Sequence, residues 1–295
     1  MARWAAFIAR HQNPDAAWLT VDAGNYVDRA AAGGCSDKCQ FLVTSYADLH
    51  YDVLNLGKQE VWMGYETLVT LRDTTPNTDF ISANLVDAKT HKPVVKPYVI
   101  KDYGSLRVGV IGLLNEADFP PGTALLDTNT LRILPAVEAA KKYIPALARK
   151  VDAVILLADL PTNILDTLLA AVPDVDFVIS SGALRTGEQP AKIGQTQVIG
   201  TGSSGYNGHY AMLEFNPAWD DSIGFSNYQD QLGDTYDEKG LWADRLAAFE
   251  AKPSTPQPIT PQKSLEKSKA PPPGTSVTPI KPAPGKVSTT INDQG

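Results

Sequence analysis

Between residues 1 and 216, short apolar runs alternate with stretches of helical periodicity, and this alternation is what most narrows the fold. The apolar runs lie at 18–21, 52–56, 80–85, 106–113, 153–157, 177–180, 197–200 and 210–215. Runs this short, bounded by turn-forming residues, read as buried strands. Helical patterns lie at 2–12, 60–72, 135–150 and 163–171. Pro135 suits a first helical turn, and Pro145 is expected to kink or divide the helix that follows it. Strands interleaved with helices predict an α/β sandwich.

The rest of the chain changes character twice. Residues 217–251 form an extension with an aromatic-polar stretch, Phe225-Ser226-Asn227-Tyr228, and a helix expected over 238–251. Trp242, Leu246 and Phe249 fall on one face of that helix, which should pack on the domain. Residues 252–295 hold 10 of the 22 prolines and no aromatic residue. Such a segment buries too little apolar surface to offset its ordering entropy, so a disordered Pro/Lys-rich tail of polyproline II character is expected. Its six lysines against Glu266 and Asp293 give it +4, which leaves −11 on the body out of a total of −7. A solvated tail, or weak contact with an anionic surface, fits that charge. No nucleic-acid partner is expected. No run of about 18 apolar residues occurs, so no transmembrane helix is expected.

A second signal lies in the order of motifs. Gly57-Lys58-Gln59-Glu60-Val61-Trp62-Met63-Gly64 follows an apolar run and precedes a helical pattern. Before it stand Met1-Ala2-Arg3-Trp4-Ala5-Ala6-Phe7-Ile8-Ala9-Arg10 and Trp18-Leu19-Thr20-Val21-Asp22-Ala23-Gly24-Asn25. After it stand Phe80-Ile81-Ser82-Ala83-Asn84-Leu85, a hairpin over 96–113, and strands over 151–157 and 172–179. In this order they resemble the calcineurin-like metallophosphoesterases, in the branch of the bacterial 5′-nucleotidases. The resemblance implies a four-layer α/β/β/α sandwich, a metallophosphoesterase-like domain over 1–216, and metal-dependent phosphoester hydrolysis.

The same resemblance locates the family's site and shows its groups replaced. Lys58 and Gln59 stand at a metal-ligand Asn and a catalytic His, and Asn25 at a bridging Asp. Asp159 stands at a His, and Gly182 and Leu184 at two further histidines. The family's first strand, with an Asp-x-His ligand pair, has no counterpart before residue 1. Met1 is therefore expected to be an internal position of a longer product. The family is usually exported, and 1–11 has no signal-peptide core. The family's nucleobase-stacking second domain is also without a counterpart.

A dinuclear site needs a bridging carboxylate and several neutral imidazoles around two closely spaced dications, and a lysine ammonium is no ligand. Asn25 and Asp159 alone remain as weak candidate ligands, so no cofactor is expected, with a divalent metal required if the chain is active. One reading is a degenerate, non-hydrolytic binding or scaffold domain. A second is a hydrolase with an unusual oxygen site drawn from Asn25, Asp159, Glu60 and Asp22 or Asp28, which would suit one hard cation. Lys58 could serve there as a fixed phosphate-binding charge. A third rests on Cys35 and Cys39, spaced C-x3-C, as the working groups of a redox or metal-carrying envelope protein. For that pair a local disulfide, free thiols or half of a metal site are all open.

Other motifs are sparse. No nucleophile elbow or phosphate-loop signature occurs. The Gly-rich run Gly200-Thr201-Gly202-Ser203-Ser204-Gly205-Tyr206-Asn207-Gly208 precedes a strand, which disfavours a dinucleotide site. Backbone amides of Gly202, Ser203, Ser204 and Gly205 suit an anion cradle. His11, His50, His91 and His209 are scattered, and a surface or structural role is expected of His209.

Overall fold

The computed structural model describes residues 1–27, 35–75, 77–120, 123, 130–182, 191–200, 207–215, 223–236, 239–251 and 286–292. The chain opens with α1 (Ala2–His11), β1 (Ala17–Asp22), α2 (Asp37–Asp48) and β2 (Val53–Asn55). It continues with α3 (Lys58–Trp62), α4 (Tyr65–Thr74), β3 (Asp79–Ile81), β4 (Leu85–Asp87), β5 (Tyr98–Asp102) and β6 (Arg107–Leu114). A 3-10 turn covers Glu116–Asp118. Then come β7 (Leu131–Ile133), α5 (Ala136–Ala148), β8 (Ala153–Asp159), α6 (Thr162–Ala171), β9 (Phe177–Ser180), β10 (Ala191–Ile193) and β11 (Thr196–Gly200). The last elements are β12 (Asn207–Phe215), β13 (Ile223–Gln231), α7 (Leu241–Glu250) and β14 (Lys286–Asn292).

Two six-stranded sheets form the centre. The first runs β13-β12-β14-β1-β2-β3 and the second β10-β11-β9-β8-β6-β5. β1, β2, β3 and β14 are parallel to one another, as are β6, β8, β9 and β11. Every residue of β8 is buried, the pattern of a parallel strand covered on both faces.

Three apolar cores hold the layers together. Between the sheets, Leu19, Val21, Val53 and Ile81 meet Val108, Val110, Ile155, Leu157 and Ile179. On the outer side of the first sheet, Trp4, Phe7, Val43, Tyr46, Val61 and Leu68 bring α1 to α4 down onto Leu54 and Phe80. On the outer side of the second, Ala140, Ile144, Leu147, Leu165 and Leu168 of α5 and α6 cover Val154, Leu156 and Val178. The result is the four-layer α/β/β/α sandwich. Full burial of each such Val, Leu or Ile contributes about 1.5–3 kcal/mol, so the sandwich is held mainly by these three layers.

Several local readings change. The apolar run at 80–85 is not one strand, because the chain turns at Ser82–Asn84 between β3 and β4. The helical pattern at 60–72 is split by Gly64, whose φ of 88° no continuing helix allows. α5 runs through Pro145 undivided. α2 is a helix that no strong apolar periodicity announces, although Ser36 caps it by accepting from the Cys39 N–H at 3.2 Å. Trp242, Leu246 and Phe249 of α7 are half-buried, and Phe249 stacks on Phe41 of α2 at 4.5 Å. The aromatic-polar stretch of the extension lies within β13, an edge strand paired with β12. Within the segment expected to form a disordered tail, Lys286–Asn292 is instead a strand in the middle of the first sheet. The remainder of that segment, 252–285 and 293–295, lies outside the described residues.

Candidate functional site

The site sits where the carboxyl ends of β1, β2, β8 and β9 meet at one rim. β1 leaves Asp22 through Gly24 and Asn25, which adopt φ of 109° and 66°. β2 ends at Asn55, a fully buried amide whose Nδ2 donates to Ala23 O (2.8 Å) in the first sheet and Leu113 O (3.1 Å) in the second. One side chain thus locks the two sheets together just beneath the site.

Gly57 follows and starts α3. A Cβ there would lie 2.8 Å from Asn25 N, 2.9 Å from Asn25 Oδ1 and 3.0 Å from Asp159 Oδ2. Only glycine lets the loops after β1 and β2 and the end of β8 approach this closely.

That approach brings together the two surviving candidate ligands. Asn25 Nδ2 donates to Asp159 Oδ1 at 2.7 Å. Ser181, just after β9, donates to the same oxygen at 3.1 Å, and the Lys58 N–H donates to Asp159 Oδ2 at 2.9 Å. Asn25 Oδ1 accepts the Gln59 N–H at 3.0 Å. Burial raises the Asp159 carboxyl above its ordinary value, against the pull of the Lys58 N–H, Ser181 and Asn25. Three of the roughly four lone-pair sites of Asp159 are thereby taken, two on Oδ1 and one on Oδ2.

Glu60 holds the same loops from behind. It is fully buried, and its Oε2 accepts Asn25 N (2.8 Å) and Gly57 N (2.9 Å) while Oε1 accepts Val27 N (3.1 Å). Desolvation pushes its carboxyl up to about 7 against those three N–H donors. Glu60 is therefore a clamp, not a spare ligand. Its spacing after Gly57 is the reciprocal half of a capping box, a signal that the sequence carries. Asp22, the other carboxylate considered, accepts the Gly24 N–H at 2.8 Å. Burial, reinforced by the Glu60 and Asp22 carboxylates, raises the Tyr26 and Tyr46 hydroxyls beside it.

The mouth of the site has a different character. The Lys58 ammonium, half-exposed, lies 3.4 Å from Asp118 Oδ1. Trp62 stacks on Phe119 with ring centroids 5.9 Å apart. Gln59 and Lys58 thus reach the site by their backbone N–H groups, a role their positions in the family motif do not suggest. Gly182 is exposed and donates to Ser180 Oγ at 3.2 Å. Asp28, Leu184, Gly202, Ser203, Ser204 and Gly205 lie outside the described residues. Among the described residues no three His, Cys, Asp or Glu side chains converge as a metal-holding group.

The histidines do not gather here. His11 packs among Phe7, Tyr210 and Tyr236, and His50 and His91 occupy left-handed turn positions. His209 is only 2% exposed on β12, and neither ring nitrogen has a hydrogen-bond partner among the described residues. Burial lowers its pKa to about 4. Cys35 and Cys39 are joined as a buried disulfide at the start of α2. No helix of the described residues is long and apolar enough to cross a membrane.

Solved structures share this architecture. No protein-family model matches the chain. It is 27% identical over 179 residues to a 2′,3′-cyclic-nucleotide 2′-phosphodiesterase/3′-nucleotidase of Salmonella typhimurium, an alignment covering 54% of the chain and 27% of the relative. The calcineurin-like phosphoesterase YfkN of Bacillus subtilis superposes with a TM-score of 0.66 at 19% identity, over 85% of this chain and 88% of that one. The sulfate thiohydrolase SoxB of Thermus thermophilus gives 0.67 at 17% identity, over 84% and 45%. A 5′-nucleotidase precursor of Thermus thermophilus gives 0.62 at 18%, over 84% and 51%. The chain spans about half the length of the last two and about a quarter of the Salmonella relative. Its fold is that of the calcineurin-like phosphoesterases, in the form shared by these 5′-nucleotidase-like proteins.

Proposed function

We propose that this chain is a 5′-nucleotidase-like domain that no longer hydrolyses phosphoesters and serves as a binding or scaffold domain. The observation that carries the reading is the closed hydrogen-bond ring at the rim. Asp159 is occupied by Asn25, Ser181 and the Lys58 N–H, and Asn25 Oδ1 by the Gln59 N–H. The pair of divalent ions that the family implies does not fit this donor set. Among the described residues the rim offers one carboxylate and one amide, already bonded to each other, too little to balance the repulsion of two dications.

The substitutions point the same way. Where the relatives' motif places a neutral metal ligand, Lys58 brings a cation, and its charge is answered by Asp118. What the rim retains is rigidity. Asn55 ties the sheets, Glu60 ties the loops, and the Asn25–Asp159 bond ties the two halves of the sandwich. A rim rigidified in this way is suited to presenting a surface. The test is hydrolysis of p-nitrophenyl phosphate and of a 2′,3′-cyclic nucleotide by the full chain with Mn²⁺, Zn²⁺ or Mg²⁺. No turnover above the metal-only blank is expected. Turnover that Asp159→Asn abolishes would overturn the reading.

A further inference from the structure

β14 occupies an unusual place. It is the strand nearest the end of the described chain, yet it lies in the middle of the first sheet. Residues 287–292 pair in parallel with 17–22 of β1, and residues 286–291 pair antiparallel with 209–214 of β12. β1 and β12 are not paired with each other. Without β14 the sheet divides into β13-β12 on one side and β1-β2-β3 on the other, each with an open edge of unpaired N–H and C=O groups.

We propose that the space between β1 and β12 is a strand-accepting groove, and that 286–292 is a separable insert that docks there by backbone pairing. Three features support it. First, β14 pairs along its length with β1 on one side and β12 on the other. Second, Lys286-Val287-Ser288-Thr289-Thr290-Ile291-Asn292 is dominated by β-branched residues, the composition that suits a pleated strand and no other element. Third, its partners are remote in sequence, and 34 residues (252–285) separate it from Ala251, just after α7. A connection of that length spans about 30 Å as a coil and about 100 Å when extended, enough to deliver the strand without building it into a tight turn. Pairing at such separation forms late, after the local helices and hairpins, so both edges await the strand.

The proposed occupant is this chain's own segment, held near the groove at an effective concentration on the order of a millimolar or less. Docking has a structural consequence for the rim. β1 leads directly into Gly24 and Asn25, and β14 is the only described strand joining β1 to β12 and β13. Release of the insert would free one side of the strand that carries Asn25. The inference stands apart from the loss of hydrolysis, because it concerns the sheet and not the donor set.

The experiment uses the full chain with a specific protease site placed between Ser264 and Ala270. After folding and cutting, the C-terminal fragment is expected to co-elute with the body in gel filtration. The melting temperature of the cut protein, unlike that of the uncut one, should rise with protein concentration and with added 286–292 peptide. Excess isotope-labelled peptide should replace the fragment. Thr290→Pro, which removes one ladder N–H, should abolish retention, whereas Thr290→Val should preserve it. Separation of the fragment on cutting would overturn the proposal, as would a retained fragment that labelled peptide never replaces. Mixed dimers between two differently tagged uncut copies would assign the occupant to a neighbouring copy and overturn the assignment to the chain's own segment.

Discussion

Glu60→Gln and His209→Leu should uncover two opposed pH dependences that nearly cancel in the parent chain. Folded Glu60 keeps its proton up to about pH 7, whereas an unfolded glutamate loses it near 4.5. Between those values the folded state binds the extra proton, so the Glu60 contribution is fully present below pH 4.5 and lost as pH rises through 7. The shift of roughly 2.5 units corresponds to about 3 kcal/mol at about 1.4 kcal/mol per unit. His209 acts the other way. An unfolded histidine is protonated below 6.5, and the folded one only near 4. There the unfolded state binds the extra proton, so stability rises with pH through the same window, again by about 3 kcal/mol. Urea unfolding of the parent and both variants at pH 4.5, 5.5, 6.5 and 7.5 measures this. Relative to the parent, Glu60→Gln should gain about 3 kcal/mol as pH rises from 4.5 to 7, and His209→Leu should lose a similar amount. Other buried carboxyls are common to all three proteins and drop out of the differences. The offsets are also set. Glu60→Gln would turn an amide NH₂ toward the Val27 N–H and cost about 1–3 kcal/mol. His209→Leu removes two buried nitrogens that have no hydrogen-bond partner among the described residues, and should stabilise the chain at pH 5. Difference curves that are flat for both variants would refute the reasoning.

Further outcomes follow from packing. Gly57→Ala should cost about 2–3 kcal/mol, since its Cβ would press on the Asn25 backbone and Asp159, and a thermal melt reads it. Cys35→Ser should lower stability by about 2 kcal/mol, the loop entropy of a five-residue ring, and a urea midpoint under non-reducing conditions checks it. Phe249→Ala should cost only about 1 kcal/mol, because Phe249 is half-buried against Phe41, and should leave the hydrogen exchange of β1 unchanged.

The layers of this fold were legible because they are written locally. The run at 153–157 is all apolar, as a strand covered on both faces must be, and α1 places Trp4, Phe7 and Ile8 on one face. What escaped was nonlocal or weakly patterned. α2 carries little amphipathic contrast, and only its Ser36 cap announced it. β14 sits in a Pro-rich region whose composition outweighed seven β-branched and polar residues, and no local pattern reveals pairing with a strand some 270 residues earlier. The family order of motifs found the rim's residues. It did not show that Asn25 and Asp159, 134 residues apart, bond to each other, or that Lys58 and Gln59 contribute their backbone amides. By residue type alone, Glu60 counts as an oxygen ligand for one hard cation. Its spacing from Gly57 decides otherwise, since a capping carboxylate spends its lone pairs on the helix start.

The measurement that bears most directly on the central claim is metal content per folded chain after incubation with Mn²⁺, Zn²⁺ and Mg²⁺ and desalting, on the parent and on Asp159→Ala. Well below one ion per chain is expected in both, because the Asp159 and Asn25 oxygens already accept from Asn25 Nδ2, Ser181 and the Lys58 and Gln59 N–H groups. One or two tightly held ions in the parent, lost in Asp159→Ala, would contradict it.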